Sequence, residues 1–301
     1  MVGGIMWFKR EDLAFDLCVN IILFIIFLVV AYPLYFIIIA SFSDPGMVSS
    51  GQVLFFPKNI SFGAYKKVIE YQSIWTGYRN TVIYTFFFTL LSVFMTMTAG
   101  YGLSRKNVPG KGIFMAYMTF TMFFNGGLIP TYLLMRGIGL EGKPIIIILM
   151  GSVNVYNIII ARTFLQSNIP DELFEAATID GCDHFKFFRS MVLPLSPALI
   201  AVMVLFAAVA QWNSWFNAMI YLRRQTQMPL QLILRDIIVS VEVFFREMQM
   251  DSMGDDMARL AMLAESMKYA VIIVSTLPVM CFYPFIQKYF IRGVMIGSIK
   301  G

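Results

Sequence analysis

Six stretches of this chain, 17–43, 80–104, 112–135, 144–161, 190–222 and 269–287, contain no Asp, Glu, Lys or Arg. Each is eighteen residues or longer, and a helix needs about 17–25 mostly apolar residues to cross the hydrocarbon core of a bilayer. The runs lack the period-2 alternation of a membrane-barrel strand, and they are too long for one. The expected fold is therefore an all-α membrane protein. It is read as a single transmembrane domain over 1–301, with six spans near 17–43, 80–104, 112–135, 144–165, 193–222 and 268–288. Composition agrees: 58% of residues are hydrophobic and 14% charged, against roughly 25% charged in a soluble domain. Lys9 and Arg10 precede the first run as they would in a signal peptide. That run exceeds the roughly 7–15 residues of a signal core and holds Pro33, so it reads as a retained first span.

Several function classes drop out early. The net charge of +5 comes without a dense basic run, which points to membrane topology rather than nucleic acid. Cys18, Cys182 and Cys281 are scattered, with no metal spacing or disulfide framework. His184 is the only histidine, which excludes any site that needs two. With the N-terminus inside, 11 of the 23 Lys and Arg residues fall in cytoplasmic segments, so the raw count is even. The short 105–111 segment, with Arg105, Lys106 and Lys111 and no acid, favours that orientation.

Between the fourth and fifth runs lies a hydrophilic segment, 168–191. Pro170 suits the first turn of a helix, and Asp171 and Glu172 complement its positive end. Leu173, Ala176, Ala177 and Asp180 recur at helical spacing on or near one face. Gly181 can take a left-handed conformation and end that helix sharply. A second short aromatic helix, 184–191, follows before Pro194 and Pro197. The pattern predicts a helix-turn-helix on the membrane surface, with small alanines that would let another protein approach closely. An interfacial amphipathic linker would show many of the same features.

The run Glu175-Ala-Ala-Thr-Ile-Asp-Gly181, with Phe185 and Leu193-Pro-Leu-Ser-Pro197 after it, resembles the coupling motif of ABC-importer permeases. Six spans with the motif between the fourth and fifth fit the type I importer permease fold, so the likeness extends over the whole chain. It is closest to the carbohydrate-uptake branch, the shorter maltose-type permease. Gly126-Gly-Leu-Ile-Pro130 and the ending Gly293-Val-Met-Ile-Gly-Ser-Ile-Lys-Gly301 resemble importers of rhamnogalacturonan- or alginate-type oligosaccharides. The resemblance implies a multi-pass protein of the bacterial cytoplasmic membrane, with both termini cytoplasmic, importing oligosaccharides by ATP-driven alternating access. It implies a heteromeric complex with a second permease, two cytoplasmic ATPases and an extracellular or periplasmic solute-binding protein. ATP and magnesium would be bound by the ATPases, leaving no catalytic site, cofactor or metal in this chain. Glu175, Ala176, Ala177, Asp180 and Gly181 would form the ATPase-coupling site: Glu175 would pair with a basic residue there, and Gly181 would shape the turn.

Polar residues inside spans are costly and so are candidates for the path of cargo. Trp212, Asn213, Trp215 and Asn217 in the fifth run offer flat aromatic faces and amides suited to sugar rings, although an interfacial aromatic belt would look similar. Tyr156, flanked by Asn154 and Asn157, and Asn125 are further candidates, which helix-to-helix hydrogen bonding would also explain. Two apparent motifs fail. Gly137-Ile-Gly-Leu-Glu-Gly-Lys143 has phosphate-loop spacing, but Pro144 stands where a magnesium-ligating Ser or Thr belongs. Asp251, Asp255 and Asp256 lack the rest of a calcium loop. The rival function is a self-sufficient secondary transporter or channel, which would place ionisable residues within the runs, and these have none.

Overall fold

The structure, a computed structural model, describes residues 10–248, 267–281 and 284. The methionine-rich stretch with Asp251, Asp255 and Asp256, most of the end of the sixth run and the 293–301 segment lie outside the described residues. Among the described residues there is no strand. They cluster as two compact units, one reaching to Glu70 and taking in Ile237–Val274, the other spanning Tyr71–Asp236 and the chain from Ser275.

The first unit contains α1 (Arg10–Ser41), α2 (Pro45–Ser49) and α3 (Gly63–Glu70). Its long helix is apolar all round from Leu17 and its side chains from Phe15 to Val30 are exposed, the surface of a segment made for lipid or another membrane helix. Only its end is buried, where Ile39 and Ala40 pack with Val48 and Val53. Asp44 fixes the turn that follows: its carboxylate accepts from the Gly46 and Met47 amides, and Pro45 opens α2. The Tyr32 hydroxyl donates to the Leu54 carbonyl at 3.2 Å, and Tyr35 to that of Phe55, holding the 51–58 loop against α1.

The second unit is organised around α4 (Gln72–Ser104), an unbroken 33-residue helix with no proline. The third run is not the continuous span its composition suggests. It is divided into α5 (Lys111–Phe123) and α6 (Leu128–Gly137), bent by 113° at a break where Gly127 takes a φ of 81°. The fourth run is likewise broken at Gly151 (φ 81°) into α7 (Ile145–Leu149) and α8 (Val155–Asn168). Next come α9 (Asp171–Ile179) and α10 (His184–Phe187), which continues through a π turn, Phe188–Val192, into α11 (Leu193–Leu195). Pro194 has no N–H for the turn before it, which accounts for the local widening. Pro197 then disfavours a helical Ser196, and α12 (Pro197–Trp212) departs at 84°. The fifth run breaks again before α13 (Phe216–Tyr221). Helix α14 (Leu230–Met248) begins in this unit and α15 (Met267–Cys281) ends in it.

Two cores hold the second unit together. One joins α4, α8, α9, α10 and α12 through Met97, Tyr101, Ala161, Leu165, Ala177, Phe187 and Met203. The other, towards the opposite end of α4, gathers Tyr84, Ile146, Ile147, Ala218, Tyr221 and Leu232. Small residues allow the tightest helix contact: a Cβ placed on Gly100 would stand 2.8 Å from the Ala161 Cβ and 3.2 Å from the Arg162 amide.

Candidate functional site

The α9–α10 pair is built by local rules and then clamped. Asp171 and Glu172 occupy the first turn of α9, where negative charge suits the helix dipole. At the other end Gly181, at φ 76°, makes a two-bond terminus: its own amide donates to the Thr178 carbonyl at 3.0 Å, and the Cys182 amide donates to Ala177 at 2.9 Å. Asp183 then caps α10 by accepting from the Lys186 amide at 2.7 Å. The ring of His184 stacks on Phe174 at 4.4 Å and 10°, closing the two helices on each other.

A buried arginine anchors this pair to α4. Arg105, the residue that ends α4, has a side chain only 7% exposed. Its Nη1 donates to the Asp171 carboxylate and its Nη2 to the Ile169 carbonyl, both at 3.1 Å. Its guanidinium lies over the Tyr101 ring, 5.3 Å from the centroid. The Tyr101 hydroxyl is in turn 3.1 Å from His184 Nδ1. Lys106 reaches the other Asp171 oxygen at 3.1 Å, but from the surface, with its side chain 79% exposed.

The exposed side of the pair presents Glu175, Ala176, Asp180 and Gly181, with Ile179 and Phe185 as apolar knobs, 88% and 73% exposed. Ala177 is not among them. Leu173, Phe174 and Ala177 form the inward stripe, and Ala177, 7% exposed, packs into the core below α9. The two alanines of the motif thus serve opposite sides of one helix.

The fifth-run cluster is pulled apart. Because α12 ends at Trp212 and α13 starts at Phe216, the helical spacing that would align Trp212 with Trp215 and Asn213 with Asn217 does not hold. Trp212 is 7% exposed, and its indole N–H donates to the Ser275 carbonyl at 3.2 Å. Asn213 is exposed and its amide bonds back to Val209. Trp215 carries the Arg235 guanidinium 4.8 Å from its ring centroid, and Asn217 is half-buried. Tyr156 and Asn125 are exposed, and Asn125 accepts from the Gly127 amide at the bend of the third run. A groove of about 730 Å³ along α4 and α12 is apolar except for Thr85 and Thr89, so it lacks the donors and acceptors that a hydroxyl-rich cargo needs.

Comparison with known proteins fits this geometry to a family. The chain is 36% identical over 287 residues to the polygalacturonan/rhamnogalacturonan transport system permease protein YtcP of Bacillus subtilis (strain 168), covering 95% of this chain and 98% of that protein. It is 34% identical to Protein LplC of the same organism, over 95% of each. Among solved structures, a bacterial ABC transporter involved in the import of the acidic polysaccharide alginate has a chain that matches with a TM-score of 0.84 and 32% identity, covering 94% of this chain and 99% of that one. No family model matches the chain. The chain belongs to the carbohydrate ABC-transporter permeases. Such permeases are integral membrane subunits, and ATP is handled by other subunits of the transporter.

Two further features of the permease are not among the site residues read from its sequence. Arg105 and Tyr101 bind the α9–α10 pair, but their partners are distant in sequence, and Asp171 already had a local role at the helix start. The second feature is a knot of Tyr132, Arg136, Glu141, Tyr221 and Arg223. The Glu141 carboxylate accepts from Arg223 and from the Tyr132 hydroxyl, each at 2.7 Å, and Arg136 stands 3.7 Å away. The Arg223 hydrogen bond, then that of Tyr132, hold this carboxyl below its usual range. The Gly142 amide adds a bond to the Tyr221 carbonyl at 2.8 Å. The glycine-rich 137–144 segment is thus a tied turn, with Gly139 and Gly142 in the left-handed region.

Proposed function

We propose that this permease imports oligosaccharides across the bacterial cytoplasmic membrane by ATP-driven alternating access, and that α9 and α10 form its coupling segment. The observation that carries this reading is the exposed set Glu175, Ala176, Ile179 and Phe185 on a helix pair whose other side is fully anchored. Two large exposed apolar side chains beside an acid and a small residue are the makings of a protein-docking surface. A neighbouring ATPase that closes on ATP would press on this surface and favour one of two packed arrangements of the helices. The partners in this reading are a second permease, two cytoplasmic ATPases and a solute-binding protein outside. Six spans with both termini cytoplasmic complete it. Relatives named for polygalacturonan, rhamnogalacturonan and alginate support a uronate-bearing oligosaccharide as the cargo.

Co-purification with the ATPase and partner permease tests the assignment, using Ile179→Asp and Glu175→Lys. Each variant is expected to lower recovery of the ATPase and cargo-stimulated hydrolysis by at least tenfold, a loss of about 1.4 kcal/mol or more at the interface. Wild-type assembly and wild-type stimulated hydrolysis in both variants would show that α9 is not the coupling helix.

A further inference from the structure

The α9–α10 pair is joined covalently to α8 and α12, yet its charged and ring-to-ring contacts run to α4. The last turn of α4 and the residue that caps it hold both helices of the pair: Arg105 takes α9 through Asp171 and Ile169, and Tyr101 takes α10 through His184. The opposite end of α4 holds a second element just as closely. There the Asn80 amide donates to the Thr226 and Met228 carbonyls at 2.9 and 3.0 Å, and the Tyr84 hydroxyl donates to Gln227 at 2.9 Å. The Leu230 amide donates to the buried Thr81 hydroxyl at 2.8 Å. Gly77 makes room for this turn, since a Cβ there would meet the Ile233 side chain at 2.7 Å and the Leu230 backbone at 3.0 Å. The two joints, at residues 80 and 105, are separated by roughly 37 Å of helix at about 1.5 Å per residue.

We propose that α4 is a transmission rod, with Arg105 as the positioning residue that makes it follow the α9–α10 pair and with Asn80 and Thr81 passing that movement to the 226–230 turn. This rests on reading α9 and α10 as the ATPase-coupling segment. A helix without proline or a break resists bending, so displacement at one end appears at the other. Opening the inner joint would leave a buried guanidinium and a carboxylate without their partners, so the joint stays closed while the surrounding apolar contacts slide. Opening the outer joint would leave backbone groups of the turn unpaired. Lys106 supplies an internal control. It touches the same carboxylate from the surface, where such pairs contribute little.

The test uses the assembled complex of ATPases, both permeases and binding protein in nanodiscs. Cys18, Cys182 and Cys281 are replaced by serine, and exposed Gln225→Cys carries an environment-sensitive fluorophore. ATP with vanadate is expected to shift the emission in the parent complex. In Arg105→Gln the shift and the cargo moved per ATP are expected to fall at least fivefold while hydrolysis persists. Asn80→Leu with Thr81→Val is expected to do the same from the far end and also covers the case in which the Arg105 variant fails to assemble. Lys106→Gln is expected to match the parent, and Arg105→Asp combined with Asp171→Arg to recover part of the shift. The rod is refuted if Arg105→Gln or the Asn80 and Thr81 pair keeps the full shift, or if either lowers hydrolysis and transport in equal proportion. Failure of the underlying reading is distinct: Ile179→Asp and Glu175→Lys would then assemble and hydrolyse ATP as the parent does, whatever the Arg105 and Asn80 variants show.

Discussion

Gly181 stands at φ 76° with nothing within 4 Å of where a Cβ would be, so its backbone, not its surroundings, sets what can replace it. A left-handed residue costs an ordinary L-amino acid roughly 1–2 kcal/mol, less for Asn and more for a β-branched side chain. Gly181→Asn is therefore expected to be nearly neutral, Gly181→Ala to lose about 1 kcal/mol, and Gly181→Val to lose more. Thermal midpoints of the detergent-solubilised permease, followed by size-exclusion chromatography, give the order. Equal midpoints for Asn and Val would mean that the turn tolerates another geometry. Gly181 was legible in the sequence because its constraint is local. Arg105 was not: its partner lies 66 residues away and no periodicity connects them. Ala177 was half legible, since helical spacing marked it as facing something without saying whether that was another protein or its own core.

Two of the charge-free runs fall on unbroken helices long and apolar enough to cross a membrane, α1 from Phe15 and α4, because lipid excludes charge without regard to what the helix packs on. The runs themselves say nothing of straightness. Gly127 and Gly151 break their runs, as does the residue ahead of Pro197, but glycine and proline also occur inside unbroken membrane helices. The break at 213–215 mattered most, since it dissolved the aromatic and amide cluster that an intact helix would have aligned. Gly100 and Gly102, two residues apart and so on different sides of α4, show how packing decides such cases. Gly100 lies against Ala161 with 2.8 Å between Cβ positions, whereas a Cβ on Gly102 meets nothing within 4 Å. Gly100→Ala must push α4 and α8 apart and is expected to cost roughly 1–3 kcal/mol, as overpacking does. Gly102→Ala is expected to be neutral or to stabilise by up to about 1 kcal/mol, as alanine does in a helix interior. Paired thermal midpoints decide it, and a loss in Gly102→Ala equal to that in Gly100→Ala would sink the packing argument.

At the scale of the molecule the open quantity is which end faces the cytoplasm. Under the six-span reading Lys and Arg would divide almost evenly between the two sides, so the positive-inside bias is silent apart from Arg105, Lys106 and Lys111. The structure adds that Arg105 and Lys106 converge on Asp171 at the start of α9, so one end of α4 carries both the short basic loop and the exposed Ile179 and Phe185. The other end carries the 226–230 turn, held by Asn80, Thr81 and Tyr84. A docking surface for an ATPase must lie where ATP is, which predicts opposite accessibility for the two ends. In a variant with serine at the three native cysteines, Ile179→Cys is expected to react with a membrane-impermeant maleimide only in inside-out vesicles. Gln225→Cys is expected to react in intact cells stripped of outer barriers. Both positions are exposed in the permease by itself, so in vesicles and cells lacking the ATPases lack of reaction on one side reports the membrane and not burial. The reverse pattern would turn the molecule over and remove α9 from reach of any cytoplasmic ATPase. Reaction of both positions from the same side would mean that α4 does not cross the bilayer, which would end the transmission argument along with the orientation.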